Sequence, residues 1–283
     1  MEQSKTLYLV DGTAYIYRGF FAMPHLSNSS GLPTNAILSF VNMLKKFINE
    51  MNPKNLAVAF DRKEETFRHE EYEEYKANRA EMPDELIPQI PYIKKIVELM
   101  NIKILEKAGY EADDLIATAA KRAEAAGYDV VIVSADKDLM QIINDKIKMY
   151  DPMRDRWYDK DAVEKKFGVP PEKVRDVMAL MGDTSDNIPG VPGIGPKTAA
   201  KLICEYGSLD NLLQNIDSVK NKKLKERLRD HYDDALLSKN LVTLDCDAPL
   251  DYDIDDLKKE EPDKEGLTKI FRELEFKSQL QLL

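Results

Sequence analysis

The chain has 283 residues, 43% of them hydrophobic and 33% charged, with only 12 Gly and 14 Pro. That balance excludes disordered and fibrous proteins and leaves one large domain or two unequal ones. Two cysteines, Cys204 and Cys246, exclude a disulfide-built secreted scaffold, so the expected home is the reducing cytoplasm.

The net charge of −10 argues at first against a nucleic-acid partner, but it is unevenly spread. Residues 1–189 carry 26 Lys and Arg against 32 Asp and Glu, residues 190–230 carry 8 against 5, and residues 231–283 carry 7 against 14. The acidic total therefore leaves a phosphate-backbone ligand open. The aliphatic run Val130-Val131-Ile132-Val133 is far short of the roughly 20 residues of a membrane span, and Asp11 arrives before a signal-peptide core could develop. No membrane partner is expected.

In chain order, Leu7-Tyr8-Leu9-Val10 and Leu56-Ala57-Val58-Ala59-Phe60 predict strands buried on both faces. Between them, Thr34 precedes Ile37, Phe40, Val41, Leu44, Phe47, Ile48 and Met51, apolar at helical steps. From Arg62 to Pro91 the chain is charged and lacks a continuous apolar face. Such a stretch is a solvated helical insertion or a mobile element that handles substrate. Ile102 to Leu105 predicts a strand, Asp113 or Asp114 opens a helix through Ala123, and strands at Val130 to Val133 and Ile147 to Tyr150 follow. The expected fold class is α/β, with a central, largely parallel sheet flanked by helices over residues 1–160. Residues 161–283 are expected to be helical. Phe271, Leu274, Phe276, Leu280 and Leu282 keep an apolar pattern to the last residues, which suits a packed helix or a linker to a further domain.

Each of three predicted strands runs into an aspartate: Asp11, Asp61 and Asp136. In a parallel sheet those ends share the edge where open α/β sheets place ligands. Asp138 follows Asp136, and Glu111, Asp113 and Asp114 open the helix after another strand. Asp183 and Asp186, three apart, share a face if their segment is helical. Taken singly, an Asp after a strand is more often a helix cap than a catalytic group, and Asp113-Asp114 more often an N-terminal charge pair. Together all these acids would repel strongly unless a cation neutralised them. Oxygen ligands without a His or Cys cluster select Mg²⁺ or Mn²⁺, with Ca²⁺ as competitor. Two ions would use this many acids and would activate water for attack on a phosphodiester.

Gly190-Val191-Pro192-Gly193-Ile194-Gly195-Pro196-Lys197-Thr198-Ala199-Ala200-Lys201 is a glycine-punctuated turn leading into a helix. Gly193 and Gly195 permit close backbone approach, amides of the helix start near Thr198 donate to phosphate, and Lys197 and Lys201 add charge. This pattern is the hairpin of a helix-hairpin-helix, which grips a nucleic-acid backbone without reading bases. Lys220, Lys222, Lys223, Lys225, Arg227 and Arg229 extend the basic segment.

These residues carry a family resemblance. Leu9-Val10-Asp11-Gly12, Ala59-Phe60-Asp61, Phe67-Arg68-His69-Glu70, Tyr75-Lys76-Ala77-Asn78-Arg79, Gly109-Tyr110-Glu111-Ala112-Asp113-Asp114, Ser134-Ala135-Asp136-Lys137-Asp138, Gly182-Asp183-Thr184-Ser185-Asp186-Asn187 and the hairpin loop occur in order. Over essentially its whole length the chain resembles the 5′ nuclease domain of bacterial DNA polymerase I, within the flap endonuclease family. The resemblance implies a PIN-like core with a helical arch at 62–91, and structure-specific 5′-3′ exonuclease and flap endonuclease activity in replication and repair. It implies cleavage near a junction between duplex and a 5′ single strand, with RNA-DNA duplexes within reach of the same chemistry. Asp11, Asp61, Glu111, Asp113 and Asp114 would serve mainly one Mg²⁺, and Asp136, Asp138, Asp183 and Asp186 the other, with Mn²⁺ able to substitute. Lys76 and Arg79 would contact the scissile phosphate, with Tyr75 near the threaded strand. Tyr17 is either a stacking platform for a terminal base or a core aromatic. The resemblance also implies a K⁺ ion on backbone carbonyls of the hairpin, a monomer, and a covalently linked polymerase domain as a partner. A non-catalytic junction-binding module needs no complete acid set, and a small-molecule phosphatase has no use for hairpin and arch. Setting the nine proposed site carboxylates aside turns residues 1–189 from −6 to +3.

Overall fold

The computed structural model describes residues 5–282. Its centre is a six-stranded sheet in the order β3-β2-β1-β4-β5-β6. The strands are β1 (Thr6–Asp11), β2 (Asn55–Ala59), β3 (Lys103–Leu105), β4 (Asp129–Val133), β5 (Ile147–Asp151) and β6 (Arg156–Tyr158). All pairings are parallel except β5 with β6, an antiparallel edge that the sequence does not announce. With only three residues, two of them exposed, β6 has no run of buried positions to signal it.

The helices are α1 (Gly12–Ala22), α2 (Asn35–Met51), α3 (Phe67–Glu71), α4 (Ile90–Leu99) and α5 (Ala112–Ala125) in the first half. Then come α6 (Lys160–Phe167), α7 (Pro171–Met181), α8 (Pro196–Tyr206), α9 (Leu209–Gln214), α10 (Lys222–Asp230), α11 (Tyr232–Val242), α12 (Lys264–Glu273) and α13 (Lys277–Leu280). Thr34 is the cap residue of α2, though its side chain makes no capping bond. The helix expected to open at Asp113 or Asp114 is capped two or three residues earlier, by Glu111.

Side chains alternate across the sheet, and the two faces bury different partners. Leu7, Leu9, Ala57, Val130, Ile132 and Met149 pack against α5 and the helical second half. Val10, Leu56, Val58, Val131 and Val133 pack against α1, α2 and α4. The chain's last helices return to this second face, where Leu267, Ile270, Phe271 and Leu274 are buried. The apolar pattern near residue 271 is thus a packed helix, and Leu282 beyond it is exposed.

The segment expected as a helical arch is mostly non-helical, and the Asp183 to Asp186 segment, whose helical state the sequence left open, is a loop. In residues 62–91 α-helix is limited to α3 and the first two residues of α4, and residues 73–78 form consecutive turns, with a 3₁₀ turn at Ile87–Gln89. Without an apolar stripe to bury, and with the like charges of Glu70, Glu71, Glu73 and Glu74 crowded together, longer helix has little to stabilise it. Residues 183–187 form a tight loop closed by an antiparallel bridge between Asp183 and Ile188. This loop is pinned where two glycines meet: a Cβ on Gly182 would lie 2.6 Å from the Ile188 carbonyl, and one on Gly190 2.6 Å from Gly182 Cα. Both have positive φ, 68° and 58°, so side chains are excluded twice over.

Candidate metal and nucleic-acid site

Parallel register brings the strand-end acids together. Val10 pairs with Val58 on one side and Val133 on the other, so Asp11, Asp61 and Asp136 leave adjacent strands at one edge. Asp11 caps α1 by accepting from the Ala14 amide at 2.9 Å, while its other oxygen accepts from Ser134 Oγ at 2.8 Å. Asp61 accepts from the Ala112 amide at 2.7 Å, locking β2 to the start of α5. Asp136 accepts from the Asp138 amide at 2.9 Å.

These acids strain against one another. Burial first, and then Asp61 and Asp136, push Asp11 up to about 7 despite its two donors. Burial likewise raises Asp113 well above the ordinary carboxylate range, reinforced by Asp136, Asp11, Asp138 and Asp61. Asp138 is raised by burial and by Asp136 and Asp186, and its Oδ1 is buried without a hydrogen-bond partner. Like charges so placed call for a cation.

Outer acids are already neutralised by protein cations. Lys76 Nζ lies 2.5 Å from Glu111 and 3.6 Å from Asp186, and Arg79 lies 2.5 Å from the other Asp186 oxygen. Lys137 lies 2.6 Å from Asp183. Burial disfavours charge on Lys76, yet Glu111 and Asp186 hold its pKa above the usual value. Burial also opposes ionisation of Asp183, but Lys137 and the Ser185 amide bring its pKa below normal. Among the described residues, no three carboxylates converge closely enough to hold an ion as the side chains stand. Mutual repulsion at the centre and ion pairing at the rim both act to keep them apart.

The donor set fits divalent cations of the Mg²⁺ type. It is all oxygen, it is partly buried, and it contains an unpartnered Asp138 oxygen among acids that burial and repulsion keep from ionising freely. Asp114 departs from the expectation. Its Oδ1 accepts from Arg68 and the Asp245 amide and its Oδ2 from Arg68 and the Glu111 amide, so four donors fill it.

Tyr75 also departs from it. The ring is 3% exposed, and its hydroxyl donates to Glu111 at 3.1 Å and approaches Asp186 at 3.4 Å. No face is free for a threaded strand, because Tyr75 packs into the core beside His69. Tyr17 is half-buried against the α1 and α2 face, and its phenol feels the charges of Asp61 and Arg79. It therefore borders the site without being a full core residue.

Residues 74–79 dock onto the loop that carries Asp183 and Asp186. The Lys76 amide donates to Asp186 O at 2.9 Å, Asn78 to Thr184 O at 2.6 Å, and Asn187 to Glu74 O at 2.6 Å. Lys76 and Asn187, on opposite sides of this contact, both have φ 56°. Positive φ in a residue with a side chain is costly and is held only by surrounding contacts.

Directly after this loop comes the hairpin. Gly193 has φ 80°, and its carbonyl accepts from Arg227 at 3.2 Å. Gly195 precedes α8, whose first residue is Pro196, so the amides of Lys197 and Thr198 have no helical partner. Gly195, Lys197, Thr198 and Lys201 are all exposed. Lys197, Lys201, Lys220, Lys222 and Lys223 have no ion-pair partner among the described residues. This leaves a cationic edge beside free amides, suited to a phosphate backbone.

Sequence reasoning gives Arg68, Lys137 and Ser134 no role, although each lies within one of the motifs that carry the family resemblance. Their value is visible only in three dimensions, since each reaches an acid from a distant segment or an adjacent strand.

A family model described as the 5′-3′ exonuclease N-terminal resolvase-like domain matches residues 6–168, and one described as the 5′-3′ exonuclease C-terminal SAM fold matches residues 169–265. DNA polymerase I of Rhizobium leguminosarum is 45% identical over 98% of this chain, which spans 28% of that protein. The 5′-3′ exonuclease of Aquifex aeolicus is 44% identical, with 98% of this chain and 94% of that protein covered. The chain thus spans about a third of the length of the DNA polymerase I relatives it matches. Among solved structures, phage T5 5′-exonuclease with bound divalent zinc ions superposes with a TM-score of 0.72 at 26% identity, covering 96% of this chain and 98% of that one. A T5 flap endonuclease complexed with DNA and metal ions gives 0.69 at 25% identity, covering 98% of each chain. With both family models matched in succession over nearly its whole length, the chain belongs to the 5′-3′ exonuclease family.

Proposed function

We propose that this chain hydrolyses DNA phosphodiesters near the junction of a duplex with a 5′ single strand, as a 5′-3′ exonuclease and flap endonuclease in replication and repair. The observation that carries the reading is the convergence of Asp11, Asp61, Asp113, Asp136 and Asp138 on one sheet edge, flanked by Lys76 and Arg79.

In this reading Asp11, Asp61, Glu111 and Asp113 hold one Mg²⁺, and Asp136, Asp138, Asp183 and Asp186 hold the other. Bound there, the pair supplies an activated water and charge stabilisation at the leaving oxygen. The chain's own cations do the rest. Lys76 and Arg79 exchange Glu111 and Asp186 for the scissile phosphate, whose developing charge they stabilise. Tyr75, a phenol whose pKa burial and then Glu111 and Asp186 raise further, keeps Glu111 and Asp186 in place through its hydroxyl. Tyr17, at the rim, offers a ring face to the terminal base.

Hairpin and basic residues hold the duplex. Lys197 and Thr198 amides meet one phosphate, and Lys201 and the α10 lysines follow the backbone. A K⁺ ion on the hairpin carbonyls would replace Arg227 as the partner of Gly193. Backbone gripping of this kind accepts RNA-DNA duplexes as well, and a polymerase domain linked in the same polypeptide would receive the trimmed end.

The test is cleavage of a duplex with a labelled 5′ single-stranded flap, in Mg²⁺ and in EDTA, by wild type and by Asp136→Ala. Metal-dependent cutting at the junction, absent from the variant, is the expected result. Tight junction binding without cutting in any divalent ion would overturn the reading.

A further inference from the structure

The largest fully buried side chain of the molecule is an arginine. Arg68 is 1% exposed, and its partner Asp114 is 0% exposed. They form a two-pronged pair, Nη1 to Oδ2 and Nη2 to Oδ1, each at 2.7 Å. Arg68 Nε donates to Leu241 O at 2.9 Å, and Nη2 donates to Thr243 O at 2.8 Å. Asp114 in turn accepts the Glu111 amide at 3.1 Å and the Asp245 amide at 2.9 Å.

Three segments therefore meet at one buried pair. Arg68 sits on α3, at the base of the segment that carries Lys76. Asp114 lies in the first turn of α5, whose cap is Glu111 and whose next acid is Asp113. Residues 241–245 form the exit from α11. From Arg68 the connection to the site is short: its carbonyl accepts the Tyr72 amide at 2.9 Å, Tyr72 O accepts the Tyr75 amide at 2.9 Å, and the Tyr75 hydroxyl reaches Glu111. Arg68 Nη1 itself lies 3.5 Å from Glu111 Oε2.

We propose that Arg68 and Asp114 are positioning residues: Asp114 is no metal ligand, and the pair fixes Glu111 and the Tyr75–Lys76 turn relative to each other. A guanidinium is suited to this because its fork binds both carboxylate oxygens in one plane. A ligand with all its lone pairs engaged has nothing to give a cation, whereas a strut needs that engagement. The inference rests on the two-metal reading given above.

The experiment compares wild type, Asp114→Asn, Arg68→Lys and the double variant Arg68→Gln/Asp114→Asn. Three readouts are taken on the whole protein: Mn²⁺ stoichiometry and affinity by titration calorimetry without DNA, melting midpoint, and kcat on a 5′ flap well below that midpoint. Asp114→Asn is expected to keep both Mn²⁺ ions, with one bound about 10-fold more weakly, and to lose about 100-fold in kcat. The neutral Gln-Asn pair can rebuild hydrogen bonds across the strut, so the double variant should recover roughly 10-fold over Asp114→Asn. Arg68→Lys keeps the charge but not the fork, and should lose kcat without losing an ion.

Loss of one Mn²⁺ in Asp114→Asn, without recovery in the double variant, would overturn the proposal in favour of direct ligation. A lowered midpoint with unchanged kcat and Mn²⁺ affinity in folded Arg68→Lys would overturn it in favour of stability alone. A wild-type protein that binds no Mn²⁺ fails the nuclease reading itself, a result distinguishable from either.

Discussion

At Asp113, burial and four neighbouring acids act in one direction, against ionisation. Replacing it by the isosteric Asn removes the cost that the metal-free fold bears in either holding this buried carboxyl ionised against its neighbours or protonating it. Asp113→Asn should therefore raise the melting midpoint in EDTA by about 2–4 °C, the shift that ~1 kcal/mol produces in a domain of this size. Mg²⁺ should stabilise wild type further and the variant much less, as scanning calorimetry with and without the ion will show. A lower midpoint in EDTA would mean that Asp113 is held by contacts that outweigh its repulsion. Lys76 tests the chemistry instead. Lys76→Ala should slow single-turnover cleavage by about 100-fold while duplex affinity stays close to that of wild type. A defect confined to binding would place Lys76 on the duplex and not at the scissile phosphate. The acids were legible in the sequence because an Asp after a buried run marks a strand's carboxyl end. Arg68 was not, since a charged residue in a charged stretch reads as solvated until its partner, 46 positions away, is known.

At the level of elements, the segment 72–79 and the loop 183–187 act as one docked pair. Each carries one residue at φ 56°, and the carboxylates of Glu111 and Asp186 are filled from the docked segment. In the proposed two-metal site, protein cations and metal ions would compete for the same oxygens. Lys76→Met/Arg79→Gln should bind Mn²⁺ more tightly than wild type in the absence of DNA, by about 10-fold at the weaker site if ~1.4 kcal/mol of pairing is removed. Calorimetric titration reads this directly, and equal affinities would show that the ion pairs do not obstruct metal. Continuous apolar runs located the buried strands β1, β2 and β4, and the shorter patterns at Ile102 to Leu105 and Ile147 to Tyr150 located β3 and β5. Such patterning failed for the docked pair because neither segment has a periodic apolar face. Their shape is set by contacts with each other and by the Gly182 and Gly190 crossing, which no local pattern encodes.

Across the whole molecule, charge is partitioned by role. Central acids collect at the sheet edge, while lysines without ion-pair partners among the described residues line the hairpin and α10, so the net −10 conceals a cationic surface, the one proposed to meet the duplex. Lys197→Ala/Lys201→Ala/Lys222→Ala/Lys223→Ala should reduce the slope of log affinity against log salt by about 0.7–0.9 for every phosphate that is no longer neutralised. Fluorescence anisotropy on duplexes of unrelated sequence should show the same weakening for each, and sequence-dependent weakening would mean that bases are read. The α/β class was legible from the alternation of apolar runs with helical patterns, and the basic hairpin from its glycine spacing and lysines. The return of α12 to the first half was not, because its apolar face could serve any partner.

That return has a bearing on the order in which the molecule assembles. Leu267, Ile270, Phe271 and Leu274 complete the sheet face built by α1, α2 and α4. The Asp263 amide donates to Leu99 O at 2.7 Å, joining segments separated by more than half of the chain. During synthesis this face, already carrying α1, α2 and α4, stays incomplete until residue 274 has emerged. Folding should therefore finish with a late, long-range docking step, of the slow kind that distant contacts impose.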